Sequence, residues 1–251
     1  MSKNINREFK GKAFGKKNYY FSHVMAASTQ TLKPLTLHAH VSGPNPYKIA
    51  IALETLLIPY DVRLWEFGDD PVKGVKGKAF LAINENGRLP ALEDPNTGVV
   101  SWESGAVMNY LLRVYDKKNM IGPRGQSEQD RVDFEKWILF LLTGLGPMLG
   151  QCNWYRHYNT TTNEDAYQRY VGQVYRHFDV LEAQLKQSDG KAILPGGFCA
   201  VDIHFYPWVW EYGVAGVSLD KYPLIEKWFN NVAEMEAVKA AYEKVPRGKS
   251  A

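Results

Sequence analysis

The spacing of apolar residues along this 251-residue chain changes character once, near Asp116, and that change limits the folds open to it. Before it, two-residue alternation and the 3.6-residue helical period take turns; after it only the helical period remains. Leu35–His40 alternates apolar and polar side chains until the run SGP breaks the pattern, a strand followed by a turn. Asn45 to Leu57 sets Ile49, Leu53, Leu56 and Leu57 on one helical face, and Pro59 ends it. Val62 and Leu64 continue a second strand. The glycine- and lysine-rich GDDPVKGVKGK reads as a loop, and Ala79–Ile83 as a short helical turn. ALED and Val99–Trp102 pair as strands around the turn DPNTG, and Ser104 to Tyr115 is strongly helical.

The order βαβ, loop, ββα is the thioredoxin-like arrangement, and it closes by about residue 116. This predicts an α+β protein: a thioredoxin-like domain over 34–116, a polar linker over 117–125, and an all-helical domain over 126–246. Helices are expected at 127–150, 165–187, 200–212, 223–231 and 233–244.

Composition narrows the function. Hydrophobic residues at 45% and charged ones at 23% describe an ordinary globular chain. A net charge of +3 is too small and too scattered for a nucleic-acid partner. The longest apolar run, Trp137 to Leu142, falls far short of the ~20 residues of a membrane span, so no membrane partner is expected. Cys152 and Cys199 give no disulfide framework, which favours a reducing, cytoplasmic setting. Neither cysteine sits in a CxxC pair or a metal-ligand spacing, and both read as buried structural thiols. Residues 1–33 carry Lys3, Arg7, Lys10, Lys12, Lys16 and Lys17 against Glu8 alone, a basic, disordered extension. Met25 offers an alternative start.

Three stretches carry chemistry: SGPNPYKI at 42–49, NENGRLPALED at 84–94 and SWESGAVMNYL at 101–111. Asn45 lies where the first strand turns into the first helix. It suits a helix N-cap, with Pro46 at the first helical position, and its amide is also a hydrogen-bond donor. Leu89-Pro90 enters a strand. A proline there is disfavoured unless the strand is an edge or the peptide is cis; the cis form would turn the N–H and C=O of Leu89 outward, free to pair with a peptide. Ser104 can cap its helix or present its hydroxyl and N–H to a carboxylate, while Glu103 can accept from an ammonium. The loop at 71–79 supplies Lys73, Lys76 and Lys78. Leu145 to Tyr158 combines Met148, Trp154, Tyr155 and Tyr158 with Gly144, Gly146, Pro147 and Gly150. Such glycines would thin or bend the helix, and the methionine and aromatics suit an adaptable apolar pocket.

Together these stretches resemble the glutathione transferases. Within them the chain is similar to the fungal nitrogen-catabolite-regulator-like branch and to the bacterial Nu-class disulfide-bond reductases, over roughly residues 34–246. The run GLGPMLGQ at 144–151 is especially close to the bacterial group. The resemblance implies that the first domain binds glutathione as co-substrate. It places the thiol at Asn45, in a pattern P-N-x-x-K-[IV], the cysteinyl main chain on Leu89 and Pro90, and the γ-glutamyl head on Glu103 and Ser104. Lys76 then meets the glycyl carboxylate, and Arg169 faces the cleft. Where the bacterial reductases carry a threonine, this chain has Gly43, with Ser42 one step earlier as a substitute.

A free thiol has a pKa near ~8.5, and lowering it by about two units takes roughly 2.7 kcal/mol. One or two charge-assisted hydrogen bonds at ~1.5–3 kcal/mol each suffice, aided by the positive end of a helix. The implied activity is attack of the activated thiol on a hydrophobic electrophile held by Met148, Trp154, Tyr155 and Tyr158. Alternatives using the same first half are double-bond isomerisation or another tailoring step in fungal secondary metabolism, and disulfide reduction. A glutathione-binding regulator is the non-enzymatic alternative, although residues 1–33 lack a long Asn/Gln-rich tract. The resemblance also implies a homodimer, with Trp65, Phe67, Phe134 and Trp137 available to cover the interface.

Overall fold

A computed structural model describes residues 31–246. The basic extension and the alternative start at Met25 therefore lie outside the described residues, apart from 31–33. Four strands form one sheet in the order β2-β1-β3-β4: β1 (Leu35–Ala39), β2 (Tyr60–Leu64), β3 (Ala91–Asp94) and β4 (Val99–Trp102). β1 runs parallel to β2, with Leu35 opposite Tyr60, and antiparallel to β3, with Leu37 opposite Leu92. β4 closes the other edge as a hairpin partner of β3. Helices α1 (Asn45–Thr55), α2 (Lys78–Leu81) and α3 (Ser104–Val114) complete the mixed α/β half, the arrangement expected of the sequence.

Helix α1 departs from its one-faced pattern. Every residue from Pro46 to Leu53 is buried, because β1, α3, α7 (Ala200–Val209) and α9 (Glu236–Lys244) all pack against it. A helix enclosed on all sides is expected to be apolar all round. Lys48, fully buried, breaks that rule.

The second half is all helical: α4 (Glu128–Phe140), α5 (Gly146–Asn153), α6 (Glu164–Leu185), α7 (Ala200–Val209), α8 (Pro223–Ala233) and α9 (Glu236–Lys244). Helix α4 starts on a reciprocal cap, Ser127 Oγ accepting from the Asp130 N–H and the Asp130 carboxylate from the Ser127 N–H. The single helix expected over 127–150 is instead two α-helices joined by a wider π-helical turn at Leu141–Leu145, with another at Trp154–Tyr158. Pro147, lacking an N–H, cannot make the regular bond back to its preceding turn, and the ladder widens there.

Helix α7 is anchored by Asp202, fully buried, which accepts from the backbone N–H of Cys199 at 2.9 Å and of Ile193 at 2.9 Å and from Trp228 Nε1 at 2.8 Å. Cys199 stands where α7 begins, and burial pushes its thiol up to about 12 and that of Cys152 to about 11. Both are buried, as their sequence context implies. Three of the four side chains expected at a dimer interface are part of the chain's own core. Trp65, Phe134 and Trp137 are 3%, 4% and 6% exposed, whereas Phe67 is 65% exposed. The aromatic content that made them look available is what the core of each half consumes. Among the described residues no helix is long and apolar enough to cross a membrane.

Candidate functional site

The turn at 42–44 and the turn at 84–88 face one another across a trough of about 430 Å³, whose lining includes His40, Ser42, Asn45, Phe67, Lys76, Arg88 and Leu89. It adjoins a recess of about 60 Å³ bounded by Asn45, Arg88, Leu89, Pro90, Glu103 and Ser104. Two helix N-termini and one strand entry, far apart in sequence, thus converge. The trough and recess collect Ser42, Asn45, Lys76, Leu89, Pro90, Glu103 and Ser104, and they do not include Arg169, Met148, Trp154, Tyr155 or Tyr158.

Neither helix terminus uses the capping side chain that local reasoning offers. The residue preceding α1 is Pro44, that preceding α3 is Glu103, and neither makes a side-chain cap bond. Asn45 and Ser104 are instead the first residues within their helices. Each helix therefore presents uncapped backbone N–H groups, and the positive end of its dipole, to the cavity.

The side chain of Asn45 is held from the other half of the molecule. Trp208 Nε1 on α7 donates to its Oδ1 at 3.0 Å. An indole N–H can only donate, so the amide oxygen must face it, and Nδ2 is left without a partner among the described residues. The indole itself lies against α5, where a Cβ on Gly146 would come within 3.1 Å of the Trp208 ring and one on Gly150 within 3.6 Å. Gly146 thins the helix where Trp208 lies, Gly150 is in ordinary contact with the same ring, and Gly144 faces His177.

Leu89-Pro90 is a cis peptide. Ladder pairing of β3 begins at Ala91, and the N–H and C=O of Leu89 have no backbone partner among the described residues. The turn before it is built by Asn84, whose Oδ1 accepts from the Asn86 N–H at 2.9 Å. Gly87 completes it at φ +62°, where a Cβ would meet the Val75 carbonyl oxygen at 2.8 Å. Gly43 sits at φ +92°, a conformation a β-branched residue resists. Ser42 Oγ lies 2.9 Å from His40 Nδ1, and His40 stacks on Phe67 with ring centroids 3.9 Å apart.

Ser104, 4% exposed, accepts at its Oγ from Lys48 Nζ at 3.4 Å. Burial lowers the Lys48 ammonium to about 7, with the Glu103 carboxylate acting in the opposite direction. Glu103 is exposed and held at φ +67°, ψ +115°, an uncommon backbone state for a side-chain-bearing residue. Lys76 lines the trough, but its Nζ donates to the Asn86 carbonyl at 2.8 Å. Arg88 lines trough and recess alike and has no ion-pair partner among the described residues.

Away from the trough, Trp154 and Tyr158 are exposed and stack at 6.2 Å, and Tyr155 stacks on Tyr170 at 5.7 Å. Met148 is half-buried against the core, and Arg169 is an exposed residue of α6. Trp208, Arg88 and Lys48 are the site-region residues that sequence reasoning missed. For Lys48 a signal existed: it is the one charge inside the apolar run PYKIAIAL.

Residues 33–113 match the glutathione S-transferase N-terminal domain family and residues 142–236 the glutathione S-transferase C-terminal domain family. A glutathione S-transferase-like protein of Aspergillus fumigatus, tpcF, is 33% identical over 80% of this chain and 91% of its own length. Among solved structures, a glutathione transferase homologue from Lodderomyces elongisporus with two glutathione molecules per subunit superposes with a TM-score of 0.77. It is 28% identical over 86% of this chain and all of its own. The glutathione transferase URE2P6 from Phanerochaete chrysosporium, in complex with oxidized glutathione, superposes with a TM-score of 0.76 and 29% identity, over 85% and 96% of the two chains. The chain belongs to the glutathione S-transferase superfamily, in its fungal Ure2-like branch.

Proposed function

We propose that this protein is a glutathione-dependent enzyme that activates the glutathione thiol at Asn45 for attack on a hydrophobic electrophile. The observation that carries the reading is the Asn45 amide, turned by Trp208 so that its donor end is left for a ligand. Glutathione lies along the trough and recess. Its cysteinyl main chain pairs with the outward N–H and C=O of Leu89, beside Pro90. The γ-glutamyl carboxylate takes the Ser104 hydroxyl and the N-terminal N–H groups of α3, and its ammonium takes Glu103. The glycyl carboxylate meets Arg88, with Lys76 beside it. Nδ2 of Asn45 then donates to sulfur as its proton leaves to solvent, and the positive end of α1 adds to the stabilisation of the thiolate. Sulfur forms the new bond to the electrophilic carbon as a leaving group departs with its electron pair, or, when it adds to a double bond, as the π bond breaks and its far atom takes a proton from solvent. Met148, Trp154, Tyr155, Tyr158 and Arg169 remain candidates for the electrophile's side of the cleft, joined by Phe67 on the near wall.

Isomerisation by reversible thiol addition starts from the same thiolate. Disulfide reduction is the second reading, favoured by the oxidized glutathione bound to the Phanerochaete relative; there the thiolate attacks a disulfide sulfur, and Ser42 is the neighbouring hydroxyl. A regulator that only binds glutathione would retain the trough without lowering the thiol pKa.

The test is the pKa of enzyme-bound glutathione, followed through the ultraviolet absorbance of its thiolate. Asn45→Ala should raise it by about one unit or more and slow turnover several-fold at neutral pH, with partial recovery in alkali. Asn45→Asp should fold but be slow, because a carboxylate repels a thiolate. A wild-type pH–rate profile in the Asp variant would remove Asn45 from the mechanism.

A further inference from the structure

Beneath the recess lies a charged group that the proposed reaction does not use. Lys48 is 0% exposed on a helix enclosed on all sides. Its Nζ has Ser104 Oγ at 3.4 Å and the face of the Trp208 ring at 5.8 Å. The ionisable groups facing it are Glu103, at the start of α3, and His204 on α7. His204 is also 0% exposed, and among the described residues neither of its ring nitrogens has a hydrogen-bond partner; burial and the neighbouring Lys48 keep it well below its usual range, hence neutral. A buried ammonium with one long hydrogen bond, a π-face and no carboxylate in contact is poorly compensated. Its hydrogen-bond partner Ser104 lines the recess where a ligand carboxylate would dock.

We infer that Lys48 is a positioning residue that becomes fully protonated when the γ-glutamyl carboxylate docks at Ser104, so that glutathione binding draws a proton from solvent into the interface between the two halves. The inference rests on the glutathione reading of the trough. In the free protein burial without a contacting counter-charge favours the neutral amine, and the bound carboxylate supplies that counter-charge, so the complex holds the proton. With Nζ donating to Ser104 Oγ, the serine hydroxyl hydrogen is directed outward to the carboxylate. The same ammonium lies against the indole whose N–H fixes Asn45, so one buried charge supports both ends of the ligand.

The ligand that separates this from thiol activation is S-methylglutathione, which keeps the γ-glutamyl head and has no thiol proton to release. Calorimetric titrations in phosphate and in Tris, whose protonation enthalpies differ, count the protons exchanged on binding. The expected result is net proton uptake near neutral pH, because burial lowers free Lys48 toward that range, with the uptake shrinking as the pH falls. Lys48→Arg, permanently charged, should bind with no uptake and with a Kd independent of pH across this range. Lys48→Met should also abolish uptake and weaken binding about fivefold or more; should it fail to fold, the wild-type count and the Arg variant decide alone. Equal enthalpies in both buffers, or uptake that persists in Lys48→Arg, would overturn the role of Lys48. Failure of S-methylglutathione to bind at all would instead overturn the glutathione reading beneath it.

Discussion

The orientation of a single amide decides what Asn45 can do. Its oxygen is committed to Trp208 at 3.0 Å, so the nitrogen is what a thiolate would meet. Trp208→Phe keeps a ring beside Gly146 and Gly150 but removes the N–H, leaving the amide free to rotate. It should cost about 1 kcal/mol of stability, raise the pKa of bound glutathione and reduce kcat/KM at neutral pH, by less than Asn45→Ala does. Unchanged kcat/KM would mean the indole only packs. Ser104 is the companion case at the other end of the trough. Ser104→Ala strips both the ligand hydroxyl and the acceptor of Lys48, and should weaken glutathione binding by about 1–3 kcal/mol, roughly five- to 150-fold. Calorimetry showing unchanged affinity would reduce Ser104 to a structural residue.

At the scale of elements, α1 ties stability to the site. In the folded chain Lys48 is lowered to about 7 from 10.5, so above about pH 7 the unfolded state holds more protons than the folded one. Stability from this group therefore rises with pH from about 7 upward, and below that both states are protonated and its contribution is flat. The buried thiols act oppositely. Cys152 and Cys199 are raised to about 11 and about 12, so their contribution falls once unfolded thiols ionise, above about pH 8.5. Lys48 thus dominates between about pH 7 and 8.5. Urea denaturation should show wild-type stability rising across that window, and Lys48→Met should flatten the rise; an equal slope in the variant would show that Lys48 is not the group responsible. The extent of α1 was legible in the local run from Asn45 to Pro59, as were the strands and the proline motif, because each is set by near neighbours. The burial of Lys48 and the turning of Asn45 were not. They depend on α7, across 163 residues, and no local period encodes which helix will cover another. The same reason explains the glycines of α5, whose occupant is also Trp208, and the capping roles that Asn45 and Ser104 were expected to share and do not have.

For the molecule as a whole, the open question of assembly shifts from aromatic to aliphatic surface. With Trp65 and Trp137 enclosed and Phe134 4% exposed, a homodimer must use what remains outside. A groove of about 750 Å³ runs between α3 and α4, with Ala106, Asn109 and Arg113 on one wall and Arg131, Glu135 and Leu139 on the other. Leu139 is 56% exposed and Val132, on the same helix, 47%. The opposite signs of Arg113 and Glu135, on the two walls, allow a self-complementary contact in which a two-fold axis sets each against the other on the second copy. Burying Leu139 in such a contact would contribute up to about 1.5–3 kcal/mol per copy, doubled by the symmetry. Leu139→Arg should then weaken dimerisation by about 3–6 kcal/mol, on the order of a hundred- to ten-thousand-fold in Kd, while the far-ultraviolet circular dichroism stays unchanged. Sedimentation velocity at micromolar concentration should find the wild type dimeric and the variant monomeric. A monomeric wild type would exclude the assembly, and a dimeric variant would move the interface away from this groove, toward exposed Phe67 at the mouth of the trough, where the partner subunit would then complete the site.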